Sequence, residues 1–465
     1  MTETLDALRD ICGQIALPLE GLNELTLSGT DPVLPSSFKV GAVAQTAISA
    51  AALGAGEVWH QRTGKRQHIA CDMRHAAVEF RSERYLRIDG GPPPDLWDKI
   101  AGTYQTGDGR WVRLHTNFPH HRDGVLELLG CAYEREAVAA ALATWNGQDF
   151  EDAAAEKGLV ITMMRTVEEW RSHPQAQALD QQPLISVERI GDAPVRPLEP
   201  AARPLSGIRV LDLTRIIAGP VCGRTLAAHG ADVMRVTAPH LPFVAALVTD
   251  AGRGKLSTHM DLGTDDGKRT LRKLIGEADI FVQGYRPGGI GRWGFSPEDV
   301  AAINPGIIYV SLSAYGHQGP WAQRRGFDSL VQTASGINHC EATALGKDSP
   351  VPLPCQALDH ASGYFMAAAA MATLARRARE GGSWHIRVSL ARTGRWIQSL
   401  GQIKNGFDCA DPAFDDVRDL MEQNNSGFGE LTAVRHAAQM SETPCHWSRP
   451  AMPLGSHPPV WPDAA

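Results

Sequence analysis

The sequence predicts an α/β protein with an open parallel sheet, helices on both faces and a smaller α+β domain beside it. Three observations carry this. Between residues 205 and 320 short apolar runs alternate with helical patterns, and consecutive parallel strands require crossovers of that kind. The 465 residues are 43% hydrophobic and 21% charged, a globular composition with length enough for a sizeable core. Ala-rich runs at 42–53 and 364–375 read as core helices, each too short for the roughly 20 residues that cross a bilayer.

The elements follow in order. Ile208 to Leu213 is an apolar run that reads as a buried strand. Gly219-Pro220 opens a helix to about His229, where Gly230 stops it. Asp232 to Val236 is the second strand. Thr264-Asp265-Asp266 caps a helix to Gly276, with acids in its first turn and Lys and Arg later. Asp279 to Gln283 is the third strand. Ser296-Pro297 starts a helix with Pro at its first position, and Ile307 to Ser313 is the fourth strand. Strands separated by crossover helices make the sheet Rossmann-like.

The smaller domain has another texture. Tyr104 to Leu114 reads as a hairpin around Gly107-Asp108-Gly109, with helical patterns at 121–130, 134–143 and 165–173. The expected organisation is a helix–strand unit in 1–100, a small α+β domain in 101–190, a Pro-rich linker in 191–206 and a large domain in 207–400. Residues 401–465 are polar, with NNSGFG and several prolines, and are expected to be irregular surface loops. Two segments also look alike: His68 to Met73 and His385 to Leu390 each follow an Ala-rich helix and a turn.

Several function classes are excluded. With 45 basic against 52 acidic residues the net charge is −7, so no nucleic-acid partner is expected. The start, MTETLDALRDICG, lacks the basic and apolar regions of a signal peptide. Eight scattered cysteines form no CxxC pair, which fits a reducing cytoplasm and no zinc knuckle. His120-His121 lacks a nearby third ligand, so no metal is expected. Gly289 to Gly294 matches GxGxxG, but Pro287 intervenes and no acid closes the strand at 307–313. Gly254-Lys255 lacks the first glycine of a phosphate loop, and no GxSxG is present.

What remains is specific. Leu205 to Arg215 (LSGIRVLDLTR) running into Ala218-Gly219-Pro220 resembles the opening of the family III CoA-transferases, the CaiB/BaiF type. Further blocks stand in that family's order. They are Gly230-Ala231-Asp232-Val233, Arg253-Gly254-Lys255 before Met260-Asp261-Leu262, Ala278-Asp279 to Tyr285-Arg286-Pro287-Gly288, Asn304-Pro305 to Gly319-Pro320, and Arg325-Gly326-Phe327-Asp328. Residues 38–200 resemble the family's later part more weakly. The chain therefore runs small-domain-like part, large domain, tail, the order of a permutation or a trimmed tandem duplication.

The resemblance implies a CoA-transferase that moves CoA from an acyl-CoA to a carboxylic acid through an aspartyl anhydride and an aspartyl-CoA thioester. It places the catalytic carboxylate at Asp359. Read from position alone, Asp359 is an N-cap candidate, and a helix N-terminus would keep it ionised. Coenzyme A, as acyl-CoA, is the implied co-substrate. By motif match Arg215, Lys255, Arg292 and Arg325 face its phosphates or ribose, Tyr285 with Arg286 walls its adenine, and Ala218 counts among the CoA-binding residues. Asp328 orients Asp359 or the substrate. The resemblance also implies a cytoplasmic homodimer, with interlocked chains as the family's form. An α-methylacyl-CoA racemase-like enzyme is the alternative, although Phe327 stands where the racemases carry a His; a non-catalytic CoA-binding homologue is another. The first copy carries no Asp at 36–40 to serve as a second catalytic group.

Overall fold

The computed structural model describes residues 2–93 and 95–463. Its centre is a seven-stranded sheet in the order Lys255–His259, Asp232–Thr237, Arg209–Leu213, Ile280–Gln283, Ile308–Ser313, Ser383–Ser389, Ile185–Gly191. All neighbours are parallel except the last pair, Ser383–Ser389 with Ile185–Gly191. Inward residues alternate along these strands, as a period of two requires. Val210, Val233, Ile280, Val310 and Ile386 pack on one face, and Leu211, Met234, Phe281 and Tyr309 on the other. Both faces are thus buried, the arrangement typical of parallel sheets. The expected α/β class is the observed one.

The expected caps are in place. Thr264 accepts from the Gly267 amide, and Ser296 forms a reciprocal capping box with Asp299 behind Pro297. Gly230, at φ +106°, follows the helix Ala218–Ala228. Lys255–His259 is a strand that periodicity did not reveal, because its polar residues Lys255, Ser257 and Thr258 are buried.

The smaller unit builds a separate core from Ile100, Tyr104, Val112, Leu114, Val138 and Phe150. Its sheet pairs Gly102–Gln105, Trp111–Leu114 and Ile161–Met163. The following Pro-rich stretch is pinned rather than loose: Arg62 donates to the carbonyls of Glu199, Pro204 and Ser206.

Within the segment 401–465, expected as irregular loops, residues 421–440 instead form strands, while 441–463 carries neither helix nor strand. Met421–Ser426 and Gly429–Val434 form a hairpin that pairs with Arg87–Ile88, and Ala438–Met440 pairs with Ile69–Asp72. The segment finds its hydrogen bonds on the edges of the N-terminal unit, partners that no local pattern shows.

The two similar segments are a structural repeat. The helices Val40–Thr63 and Ala357–Glu380 are both 24 residues long. They begin after residues of matching backbone, Lys39 at φ −79°, ψ 61° and Gln356 at φ −78°, ψ 64°. Glycines at positive φ, Gly64 and Gly381, follow them. In the next helices Asp72 accepts from the His75 amide and Ser389 from that of Arg392. Each long helix is also capped from outside by an aspartate. Asp31 accepts from the amides of Gly41 and Ala42, and Asp328 from those of Leu358 and Asp359. The long helices pack on each other where Gly54 meets Ala368 and Met371. At the position of Asp359 the first copy therefore has Ala42.

Candidate active site

The strand order reverses between Arg209–Leu213 and Ile280–Gln283, and ligands of open α/β sheets bind in the crevice at such a point. The chain leaves the first of these strands through Ile216 at φ +76°, a strained conformation for a β-branched residue. Behind it the helix Ala218–Ala228 crosses the helix Ala357–Glu380. A Cβ on Gly363 would lie 2.4 Å from the Ala218 carbonyl oxygen, so only glycine permits this approach. Ala218 is buried in that crossing.

Asp359 lies in the first turn of the 357–380 helix and faces a cleft of about 460 Å³. Asp328 and Glu83 line the same cleft, and all three carboxyl groups are buried. The cap expected of Asp359 is instead made by Asp328. Its Oδ2 accepts from the amides of Leu358 (2.8 Å) and Asp359 (3.0 Å), and its Oδ1 from Gln332. Asp328 thus fixes the backbone that carries Asp359.

The expected ionisation of Asp359 is also corrected. Burial, then the neighbouring Asp328 and Glu83, push its carboxyl well above the usual range. Burial raises Asp328 to about 6, against the pull of its amide and Gln332 hydrogen bonds. Glu83 goes the other way. Burial would raise it, but His360, 3.3 Å away at Nε2, and Arg84 hold it below the usual range. The helix N-terminus does not outweigh desolvation and two neighbouring carboxylates.

Sequence reasoning missed Glu83. It and Glu79 are acids four residues apart in a run, AAVEFRSERYL, that also carries Arg81 and Arg84, so charge pattern alone did not mark it as buried. The smaller unit supplies Trp97, His115 and Asn117 to the cleft. His115 stacks on Phe327 with ring centroids 3.9 Å apart. Burial and then Arg113 push its pKa down to about 3, so the ring is neutral.

Three of the residues assigned to CoA gather on one rim. Arg325 is shifted downward by burial and by Arg286 and Arg215, and it meets His121 Nε2 at 3.2 Å. Among the described residues none of the three arginines forms an ion pair. Tyr285, partly buried, adjoins Arg215. Lys255 is a correction. It is buried inside the sheet, where Nζ lies 2.7 Å from Asp212 and 2.8 Å from the Pro220 carbonyl, so it cannot reach a phosphate. Arg292 is exposed on the next crossover, stacked on Trp293 at 4.7 Å, and lines no wall of the Asp359 cleft.

Two other features lie apart from the carboxylates. A concavity of about 850 Å³ lies beyond the loop at Tyr285 and Arg286, with His385 and Arg387 on its floor, but holds none of the three acids. His229, His436 and Cys445 place ligand-type atoms within 4.8 Å of one another. There His436 Nδ1 accepts from the Ala438 amide, so its other nitrogen carries the proton, and burial pushes the Cys445 thiol up to about 12. In that state the cluster is a protonated thiol among imidazoles. Among the described residues no helix is long and apolar enough to cross a membrane.

Residues 205–405 match the family described as CoA-transferase family III. The match falls on the segment whose sequence blocks resemble that family, 43% of the chain. It is 37% identical over 215 residues to the acetyl-coenzyme A transferase nodX of Hypoxylon pulicicidum, which is 45% of this chain and 36% of that protein. It is 28% identical over 416 residues to an acyl-CoA transferase of Gibberella moniliformis, covering 79% of this chain and 72% of that protein. A CAIB/BAIF family protein of Brucella suis is 26% identical in its crystal structure, covering 50% of this chain and 65% of that one with a TM-score of 0.38. The chain thus spans 36% of the first relative's length and 72% of the second's.

Proposed function

We propose that the protein transfers CoA between an acyl-CoA and a carboxylic acid, with Asp359 as nucleophile. The observation that carries this is a buried carboxyl group facing a cleft, its backbone held by Asp328. Asp359 reacts after losing its proton. Its carboxylate attacks the donor thioester and expels CoA thiolate, leaving an anhydride. The thiolate attacks the aspartyl carbonyl, releasing the donor acid and leaving an aspartyl-CoA thioester, and the acceptor acid reverses the sequence. The burial that disfavours the ionised side chain also favours these neutral adducts over the free carboxylate. The unpaired Arg215, Arg286 and Arg325 suit the phosphates of CoA, and Tyr285 offers a wall for its adenine. Asp328 acts as the group that orients Asp359. The family resemblance implies that the protein works as a homodimer.

The test is trapping. The protein is incubated with a panel of acyl-CoAs, treated with hydroxylamine or borohydride, and the modified residue is located by mass spectrometry. Modification of Asp359, absent from Asp359→Ala, is the expected result. Tight CoA binding with no adduct from any donor would overturn the proposal in favour of a CoA-binding protein. One observation favours a second reading, proton exchange at the carbon α to the thioester. The neutral His115 stands against Phe327 in the cleft of Asp359, whose carboxyl is pushed above the usual range. Exchange of an α-deuterium with water, without CoA transfer, would establish it.

A further inference from the structure

The walls around Asp359 select an acyl group. Leu96, Trp97, Ile216, Val244, Leu247 and Phe327 line the cleft together with Asp359, Asp328 and Glu83. Among the described residues no Arg or Lys lines it. An adjoining trough of about 400 Å³ shares Ile216, Val244 and Leu247 and continues past Phe243, which is 57% exposed. Two arginines also line this trough, Arg235, engaged with the Val248 and Met452 carbonyls and Ser257, and Arg215, which the transfer reading assigns to the phosphates of CoA.

We propose that the donor and acceptor acids are monocarboxylic acids with an apolar body, an aliphatic chain or aromatic ring that lies along Trp97, Val244 and Leu247. This rests on the transfer reading given above. A second carboxylate on the acyl group, lying in the Asp359 cleft, would meet Asp328 and Glu83 and no Arg or Lys among the described lining residues, Arg84 being already engaged with Glu83. It would lose its water and gain only like charges. An alkyl or aryl body instead gains by leaving water, and each added methylene strengthens its binding. Asp328 and Glu83 thus act against dicarboxylic substrates while the apolar wall attracts the others, so discrimination has a repulsive as well as an attractive part.

The experiment compares octanoyl-CoA, acetyl-CoA and succinyl-CoA as acylating agents of Asp359, read by the trapped adduct in single-turnover mixtures. Octanoyl-CoA is expected to react at least tenfold faster than succinyl-CoA. Trp97→Ala is expected to lower the octanoyl-to-acetyl rate ratio at least fivefold, a change that general damage to the fold would not produce. Succinyl-CoA reacting as fast as octanoyl-CoA, or a ratio unmoved by Trp97→Ala, would overturn the proposal. If no thioester acylates Asp359, the transfer reading fails by itself. The cleft is then judged by calorimetry: tighter binding of octanoyl-CoA than of succinyl-CoA, lost in Trp97→Ala, upholds the apolar site, and equal binding overturns it.

Discussion

Replacing Asp359 with Asn removes a group whose ionisation opposes the fold. In the native state burial, Asp328 and Glu83 hold its proton far above the usual range, whereas the unfolded chain releases it near the ordinary carboxylate pKa. Between those two values the native state binds the extra proton, so stability falls as pH rises, by about 1.4 kcal/mol per pH unit. From pH 5 to pH 7 the wild type is therefore expected to lose up to about 3 kcal/mol from this one group. Sharing of the proton with Asp328 lowers the figure. Asp359→Asn cannot titrate and escapes the loss. Its advantage over the wild type is absent below the ordinary pKa and grows up to the raised one. Urea unfolding of both proteins at pH 5, 6 and 7, followed by tryptophan fluorescence and circular dichroism, measures this difference. Stability curves that stay parallel across the range would show that Asp359 is not held protonated, and the account of the cleft would fall with it.

Other outcomes follow from the same geometry. Lys255→Met leaves Asp212 buried without its partner and is expected to cost about 3–5 kcal/mol in denaturant unfolding. Arg325→Ala, at an exposed rim position, is expected to leave stability unchanged while weakening CoA binding about tenfold at low salt, with a smaller salt dependence by calorimetry. Gly363→Ala would drive a methyl group against the Ala218 carbonyl and Val221. It is expected to cost about 1–3 kcal/mol and to slow acylation of Asp359 by displacing the 218–228 helix.

Local chemistry wrote much of the framework into the chain. The apolar runs at 208–213, 279–283 and 307–313 read as strands because two covered faces demand continuous hydrophobicity. Thr264, Ser296 and Gly230 marked helix ends because capping is satisfied within a few residues. Ordered blocks from 205 to 328 pointed to the family, and with it to Asp359, Arg325 and Asp328. Those signals share one property: each partner lies close in sequence, or the pattern repeats along one element.

Other features depended on residues far apart in the chain. Lys255 reads as a loop cation beside a glycine, yet Asp212 draws it into the sheet. The polar hairpin at 421–434 reads as loop, yet it completes a sheet begun at Arg87–Ile88. Asp359 reads as an ionised cap, yet Asp328 holds the helix end and Glu83, some 270 positions away, adds its charge. Periodicity and capping act over a few residues, so the linear sequence records them. Desolvation and Coulomb interaction act through space, so the state of the Asp359 carboxyl group was decided only when the N-terminal copy, the smaller unit and the large sheet closed around it.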